Sequence, residues 1–287
     1  VSADFKKRWY TGGSMSESFQ IRNMGIYCDF ENIALGAKEA KYEAFDIKRV
    51  LERLLLKGNI VVKKAYCDWA RYKEFKKPMH EAAFELIEIP HVRVSGKNSA
   101  DIRMVVDALD LCYTKSHVDT FVIVSGDSDF SPLVSKLREN NKVVIGVGVK
   151  NSTSDLLISS CDEFIYYDDL VRGAAKKATA RRKRTTVTKK TSRTSAGGAK
   201  SDKMQEALDL LMETVEALFT ERGEEEKVWG SMVKQALKRR KPGFSEGYHG
   251  FRSFSKLLEE AKERKLLTLE HDEKSGGYII TSFVHED

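Results

Sequence analysis

The sequence predicts an α/β fold in which a three-layer domain with a central parallel sheet is followed by a small α+β unit. Three observations carry this. Short β-rich runs alternate with helical patterns over more than the first half of the chain, a basic polar stretch breaks the pattern, and helical segments then end in two strand-like runs around a polar turn. With 287 residues, 41% of them apolar, the chain can bury one large core or two smaller ones.

The elements follow in order. "MGIYCDF" reads as the first strand, then a helix from about Asp46, the strand "NIVVKKAYC", a helix around Lys73 to Ile87 and the strand "HVRV". A helix from about Ala100, the strand "TFVIVSG", a helix from about Ser131 and the strand "KVVIGVGV" come next, and a short helix near Ser154 and "EFIYY" close the series. Helices between successive strands imply parallel βαβ crossovers, with strands buried on both faces.

In open α/β sheets, ligands bind beyond the carboxyl ends of the strands, near the point where strand order reverses. The residues that follow each strand therefore matter most. Asp29 ends "GIYC", Asp127 and Asp129 follow "TFVIVSG", and Asp101 opens the helix after "HVRV". Singly, each has a structural explanation: Asp101 suits the positive end of its helix, and Asp127 or Asp129 can cap the helix that begins near Pro132. Jointly, three βα junctions deliver acids to one end of one sheet. Two carboxylates about 4 Å apart repel by roughly 4 kcal/mol at an effective dielectric of about 20. Such a cluster either holds protons or binds a cation. Oxygen ligands without His or Cys point to Mg2+ or Mn2+ rather than zinc, and to metal-assisted attack of water on a phosphodiester. "GVGVKN" lacks the spacing of a phosphate-binding glycine loop.

Other features set the context. Residues 1–23 are polar and Gly/Ser-interrupted and read as an extension, with Met15 a candidate start. No apolar run approaches the roughly 18 residues of a membrane span, and no secretory signal is visible, so the expected location is cytoplasmic, without membrane association. Cys28, Cys67, Cys112 and Cys161 are widely spaced and read as small buried hydrophobes. From Val171 to Lys203, twelve Lys/Arg stand against one acid, a local charge of +11 in a chain of +6, so the remainder is net acidic. That segment has too few large apolar residues to fold alone and reads as a basic linker that attracts nucleic acid through counterion release.

Beyond it, residues 204–287 show the helical patterns "MQEALDLLMETVEALF" and "VWGSMVKQALKRRKPGF", a third helix in "GFRSFSKLLEEAKERKLL", and a hairpin from "LTLEH" and "GGYIIT". Three helices and a hairpin suggest a winged helix. Phe244, Phe251, Phe254 and Trp229 read as core, because so small a unit needs its large apolar residues inside.

Over residues 24–170, "IYCDFENI", "KNSADIRMVVDAL", "VSGDSDFSPLVSKLRENNKVVIGVGV" and "STSDLLISSCDEFIYYDDL" resemble, in order, the motifs of the NYN domain, a LabA-like branch of the PIN-like nucleases. The resemblance implies a metal-dependent ribonuclease with Asp29, Asp101, Asp127 and Asp129 as its acidic site. It further implies that Asn32 orients a ligand or water, that Ser125 lies near the metal shell, that Lys97 meets phosphate or is simply a solvated surface lysine, that Asp107 takes a supporting role or a surface position, and that Ser154 supports the site. Asp107, six residues past Asp101, falls some 240° around the helix at about 100° per residue. Phe30 stands where many relatives carry Gly, and is expected to narrow access. The C-terminal string "GSMVKQALKRRKPGFSEGYHGFRSFSKLLEEAKERKLLTL" resembles the OST-HTH, or LOTUS, domain, which implies a winged helix that binds RNA, single-stranded or G-rich, or a protein partner. Lys238, Arg239, Arg240 and Lys241 are then candidates for phosphate contact, or simply favourable charge at a helix end, and Tyr248, His249 and Arg252 for gripping a strand. The competing function is an RNA-binding or regulatory adaptor whose NYN fold is catalytically weak.

Overall fold

The computed structural model describes residues 22–89, 99–173, 198–223, 226–273 and 275–284. Its larger unit is built on six parallel strands: β1 (Arg22–Asp29), β2 (Gly58–Cys67), β3 (Glu85–Glu88), β4 (Thr120–Val124), β5 (Val143–Gly148) and β6 (Glu163–Tyr166). They lie in the order β3-β2-β1-β4-β5-β6. The chain builds outward from β1 to β3, then returns to the other side of β1 with β4. The strand order therefore reverses between β1 and β4, which opens a crevice at their carboxyl ends.

Helices cover both faces. On one, α1 (Phe30–Glu39), α2 (Ile47–Lys57) and α3 (Lys73–Glu81) bury Ile33, Val50, Leu54 and Met79 against Ile26, Cys28, Val122 and Val147. On the other, α4 (Ser99–Thr114), α5 (Ser131–Glu139) and α6 (Asp155–Ser160) bury Met104, Ala108, Leu133, Leu137 and Leu157 against Tyr27, Phe121, Ile123 and Val144. Residues of alternate parity in β1 enter opposite cores, as strand geometry requires. A short helix over residues 167–173, α7, follows β6.

Several elements differ from the expectation. α1 follows β1 at once and was not read from the sequence: Gly36 weakens its helical pattern. A Cβ at Gly36 would approach Ser152 Oγ to 2.2 Å, so the glycine permits close packing there. The helix expected over Lys73 to Ile87 stops at Glu81, and β3 takes part of its span. Ala83 adopts φ 57°, and the Phe84 N–H returns to the Met79 carbonyl at 3.0 Å, a left-handed stop made without the usual glycine. "HVRV" lies outside the described residues, as do residues 1–21, while Arg22 and Asn23 of the expected extension already belong to β1. The expected linker overlaps α7 at one end and α8 (Gly198–Arg222) at the other, and residues 174–197 lie outside the described residues.

The C-terminal unit packs α8, α9 (Gly230–Arg240) and α10 (Phe254–Glu263) against an antiparallel sheet of β7 (Val228–Trp229), β9 (Gly277–Phe283) and β8 (Leu267–Asp272), in that order. Leu211, Val233, Leu237, Phe251, Phe254, Leu257 and Ile280 form its core.

The two units meet at the end of α2. Leu56 is buried in the C-terminal core, and the Arg239 guanidinium donates to the Leu55 and Leu56 carbonyls at 2.9 and 3.3 Å. These are carbonyls that a helix end leaves without intrahelical partners. The buried Glu221 carboxylate receives Arg53 at 2.5 Å and also pairs with Lys57, which reaches Glu163 at 2.8 Å. Replacing Glu221 with Leu leaves Arg53 unpaired and Lys57 with one partner. We expect a loss of about 2–3 kcal/mol, at the low end for buried pairs because Arg53 is partly exposed and Lys57 keeps Glu163. Calorimetry should show a lowered transition that separates into two; an unchanged Tm would mean that this ion pair does not hold the units together.

Candidate active site and metal centre

Asp29 is the last residue of β1 and the N-cap of α1, only 8% exposed. Its Oδ1 accepts the Asn32 N–H at 3.3 Å, and its Oδ2 accepts the hydroxyl of fully buried Ser125 at 3.0 Å. Ser125 Oγ in turn accepts the Asp127 N–H at 3.2 Å. Asn32 Oδ1 accepts the Gly126 N–H at 2.8 Å, and the Gly126 carbonyl accepts from the Ser154 N–H at 2.9 Å. Hydrogen bonds thus stitch the β1, β4 and β5 exits together. Gly126 is required by the fit, since a Cβ there would lie 2.3 Å from the Ser152 carbonyl oxygen.

The acids are felt across this crevice. Burial pushes Asp29 up to about 7; Asp101 raises it further, the Asn32 and Ser125 hydrogen bonds draw it down, and Asp127 adds a smaller push. Asp101, in the first turn of α4, is raised to about 6 by burial, then by Asp127, Asp129 and Glu31. Asp127 caps the short turn Ser128–Phe130 by accepting the Asp129 N–H at 3.0 Å, and Asp129 is exposed.

Each remaining sequence candidate has a definite place. Asn32 holds the β4 loop through its carbonyl oxygen, and Ser154 caps α6 by accepting the Leu156 N–H at 3.2 Å. Asp107 is turned away from the crevice and accepts from Tyr66 at 2.8 Å, Lys64 at 3.1 Å and Arg103 at 3.1 Å. Partial burial pushes Asp107 up, but these donors outweigh it and hold its carboxyl below the usual range. Lys97 lies outside the described residues.

Phe30 does not narrow access. It is 1% exposed and turns into the core against Trp69, Tyr72 and Phe75, because the first residue of α1 faces the sheet rather than the rim. Glu31 is an acid of this edge that the sequence reading passed over, within the electrostatic reach of Asp101 and 3.2 Å from Arg71. Recognising α1 would have placed it beside Asp29.

In the C-terminal unit, the basic run divides. Arg239 is engaged with α2, and Arg240 with Glu213 at 2.7 Å and Thr214 at 3.2 Å, so both guanidinium groups are already occupied by protein. Lys238 and Lys241 are exposed. His249 is buried, stacks on Phe244, and has Nδ1 3.0 Å from the Lys203 carbonyl oxygen, so a strand-gripping role is not what its packing serves. Tyr248 is 63% exposed with the Lys203 ammonium 4.2 Å from its ring centroid, and Arg252 is exposed.

Among the described residues, no three Asp, Glu, His or Cys side chains close into a direct ligand set for one ion. The donors still suit magnesium, which binds through one or two carboxylates and keeps several waters. Two carboxylates on separate elements are raised first by burial and then by neighbouring acids, a state that a hard dication would relieve.

Between the ordinary carboxyl range near 3.9 and about 7, the folded state retains protons on Asp29 that the unfolded state has released. Its contribution to metal-free stability therefore falls as pH rises through that window. Asp29→Asn should make the protein more stable than wild type in EDTA at pH 8, while Mg2+ should raise the Tm of wild type alone. Thermal melts from pH 5 to 8 check this; a variant no more stable than wild type in EDTA contradicts the electrostatic reading.

Comparison with known proteins agrees with the motifs. Residues 23–168 match the family model of the NYN domain. The meiosis regulator and mRNA stability factor 1 of Xenopus tropicalis is 25% identical over 159 residues, covering 55% of this chain and 9% of that protein. An uncharacterized protein of Methanocaldococcus jannaschii is 28% identical over 120 residues, covering 42% of this chain and 47% of its own length. A solved structure of a protein of unknown function from Vibrio parahaemolyticus aligns with a TM-score of 0.47 and 28% identity, over 53% of this chain and 96% of that one. The chain thus spans less than half the length of these two curated relatives. With the family match covering half of its residues, the chain belongs to the NYN domain family.

Proposed function

We propose that this protein is a divalent-metal-dependent ribonuclease that hydrolyses RNA phosphodiester bonds at the carboxyl edge of the parallel sheet. The observation that carries this is the buried Asp29 carboxylate, held by Ser125 and Asn32 and raised by burial first, then by Asp101 and, least, by Asp127 from other βα junctions. NYN domains belong to the PIN-like nucleases, and the Xenopus relative is named as an mRNA stability factor, which supports RNA as the substrate.

Mg2+ or Mn2+ bound here would activate water and neutralise charge on the phosphoryl oxygens. Asp29 and Asp101 would hold the ion through their oxygens. Ser125 fixes the Asp29 rotamer and, through the Asp127 N–H, the direction in which the β4 loop leaves the sheet. Asp127 and Asp129 complete the acidic rim nearest to solvent.

In the same reading, residues 24–170 form the catalytic domain and residues 204–287 an OST-HTH winged helix that recruits RNA or a protein partner. Its exposed Lys238, Lys241, Tyr248 and Arg252 are the RNA-facing candidates, and the basic segment between the domains adds counterion-driven affinity. No described helix is long and apolar enough to cross a membrane, and we assign the activity to the cytoplasm. The absence of a three-carboxylate ligand set among the described residues favours one alternative, an RNA-binding adaptor with little turnover.

The deciding experiment incubates the full chain with end-labelled single-stranded and structured RNAs in Mg2+, Mn2+ or EDTA, beside Asp127→Asn. Metal-dependent cleavage, slowed roughly 100-fold or more by the substitution, is expected. Equal cleavage by both proteins would expose a contaminant, and no cleavage of any RNA would select the adaptor.

A further inference from the structure

A nuclease site that concentrates Asp29, Glu31, Asp101, Asp127 and Asp129 repels the polyanion it must bind. One dication does not cancel five carboxylates, so cations supplied by the chain have to flank the crevice. Along the carboxyl edge the strand order gives two neighbours for the acidic pair β1 and β4, namely β2 on one side and β5 on the other.

The β2 side carries Arg71 and Lys73. Arg71 lies 3.2 Å from Glu31, two residues from Asp29, and is 53% exposed. Lys73 opens α3, is exposed, and makes no ion pair among the described residues. This arm is fixed rather than loose: Phe30, immediately after Asp29, packs against Trp69, Tyr72 and Phe75 at ring distances of 5.0, 5.9 and 5.1 Å. The contact ties the start of α3 to the acidic corner.

The β5 side carries Lys150, also exposed and without an ion pair among the described residues. Its backbone is pinned by the Asp168 carboxylate, which accepts the Lys150 N–H at 2.8 Å and the Tyr42 hydroxyl at 2.8 Å. The same turn packs through Ser152 on Gly126, the residue before Asp127. Adjacent strands lie about 4.8 Å apart, so β2 and β5 stand roughly 14 Å apart with the acids between them.

We propose that Arg71 and Lys73 on one side and Lys150 on the other form a phosphate bracket that holds a single nucleic-acid strand across the acidic crevice, perpendicular to the sheet strands. This rests on the nuclease reading for its substrate, but binding tests it without turnover. Phosphates upstream and downstream of the crevice engage the two arms, and Glu31 keeps the Arg71 guanidinium aimed along the rim until a phosphate competes for it.

The test measures the affinity of the full chain for a fluorescent single-stranded RNA as a function of salt, in Mg2+ and in the Asp127→Asn background. Arg71→Gln, Lys73→Gln and Lys150→Gln are combined and compared with Lys115→Gln, Lys136→Gln and Lys142→Gln, which remove equal charge towards the amino edge of the sheet. Losing three single-strand phosphate contacts should lower the slope of log K against log salt by about 2, and weaken binding at low salt at least tenfold; the control set should change the slope far less. Equal effects of the two sets, or no effect of the first, overturn the bracket even where Asp127→Asn abolishes RNA cleavage. Weakened binding by the first set alone, with no cleavage by the wild-type chain, retains the bracket and rejects the nuclease reading.

Discussion

The hydrogen bond from Ser125 to Asp29 joins residues 96 positions apart at the place where the sheet reverses direction. Both partners are buried, so the bond works where water cannot compete, and its loss would leave a carboxylate and a hydroxyl unsatisfied in a low-dielectric crevice. Around it the Asp127 and Gly126 amides are held by Ser125 and Asn32, and the turn after β5 is held by Gly126. Asp29 and Asp127 are positioned by that network, and Asp129 follows through its N–H bond to Asp127. Asp101 arrives on α4, whose buried Met104 and Ala108 anchor it to the opposite core.

Structural and chemical duties coincide on the same atoms. Asp29 caps α1 and Asp127 caps the turn that leads into α5. A carboxylate has about four acceptor positions, and a cap uses one of them. Capping fixes the rotamer at no cost in ligand capacity. It also explains why Asp29 tolerates burial beside other carboxylates: the hydrogen bonds it accepts from Asn32 and Ser125 offset part of the penalty, while burial and then neighbouring carboxylates still dominate and raise it.

Five of the six parallel strands and the acids at their ends were legible because continuous apolar runs such as Thr120–Val124 admit few alternatives, and the chain must leave each run at the same edge; β3 was hidden inside a span expected to be helical. What escaped was anything decided by packing between distant segments. Gly36 hides α1 because its reason is Ser152, far along the chain, and the end of α3 is hidden by an alanine at a left-handed position. Phe30 looked like an obstruction because only the helix it begins decides which way it points. Arg239 shows the limit most clearly: a run of four cations reads as a nucleic-acid surface, yet the helix phase assigns one of them to the carbonyls of α2. Charge composition sets an average tendency, whereas partner choice depends on geometry that composition does not carry.

The place where the two units join bears on how RNA would reach the site. The end of α2 and the start of β6, where Lys57, Glu163 and Glu221 meet, lie at the amino edge of the sheet, opposite to the acidic crevice. The eight residues of β1 separate those edges by roughly 26 Å. An RNA held by the C-terminal unit must therefore travel the height of the sheet before its phosphodiester meets Asp29. Along the chain, the basic segment joins α7, which follows β6, to α8 in the C-terminal unit. Its cations would, on the proposed function, contribute wherever along that route an RNA strand lies, because counterion release needs charge density and not a fixed register. On the proposed function, recruitment and positioning are separable tasks, one served by the charge density of the basic segment and the other by residues held at the rim.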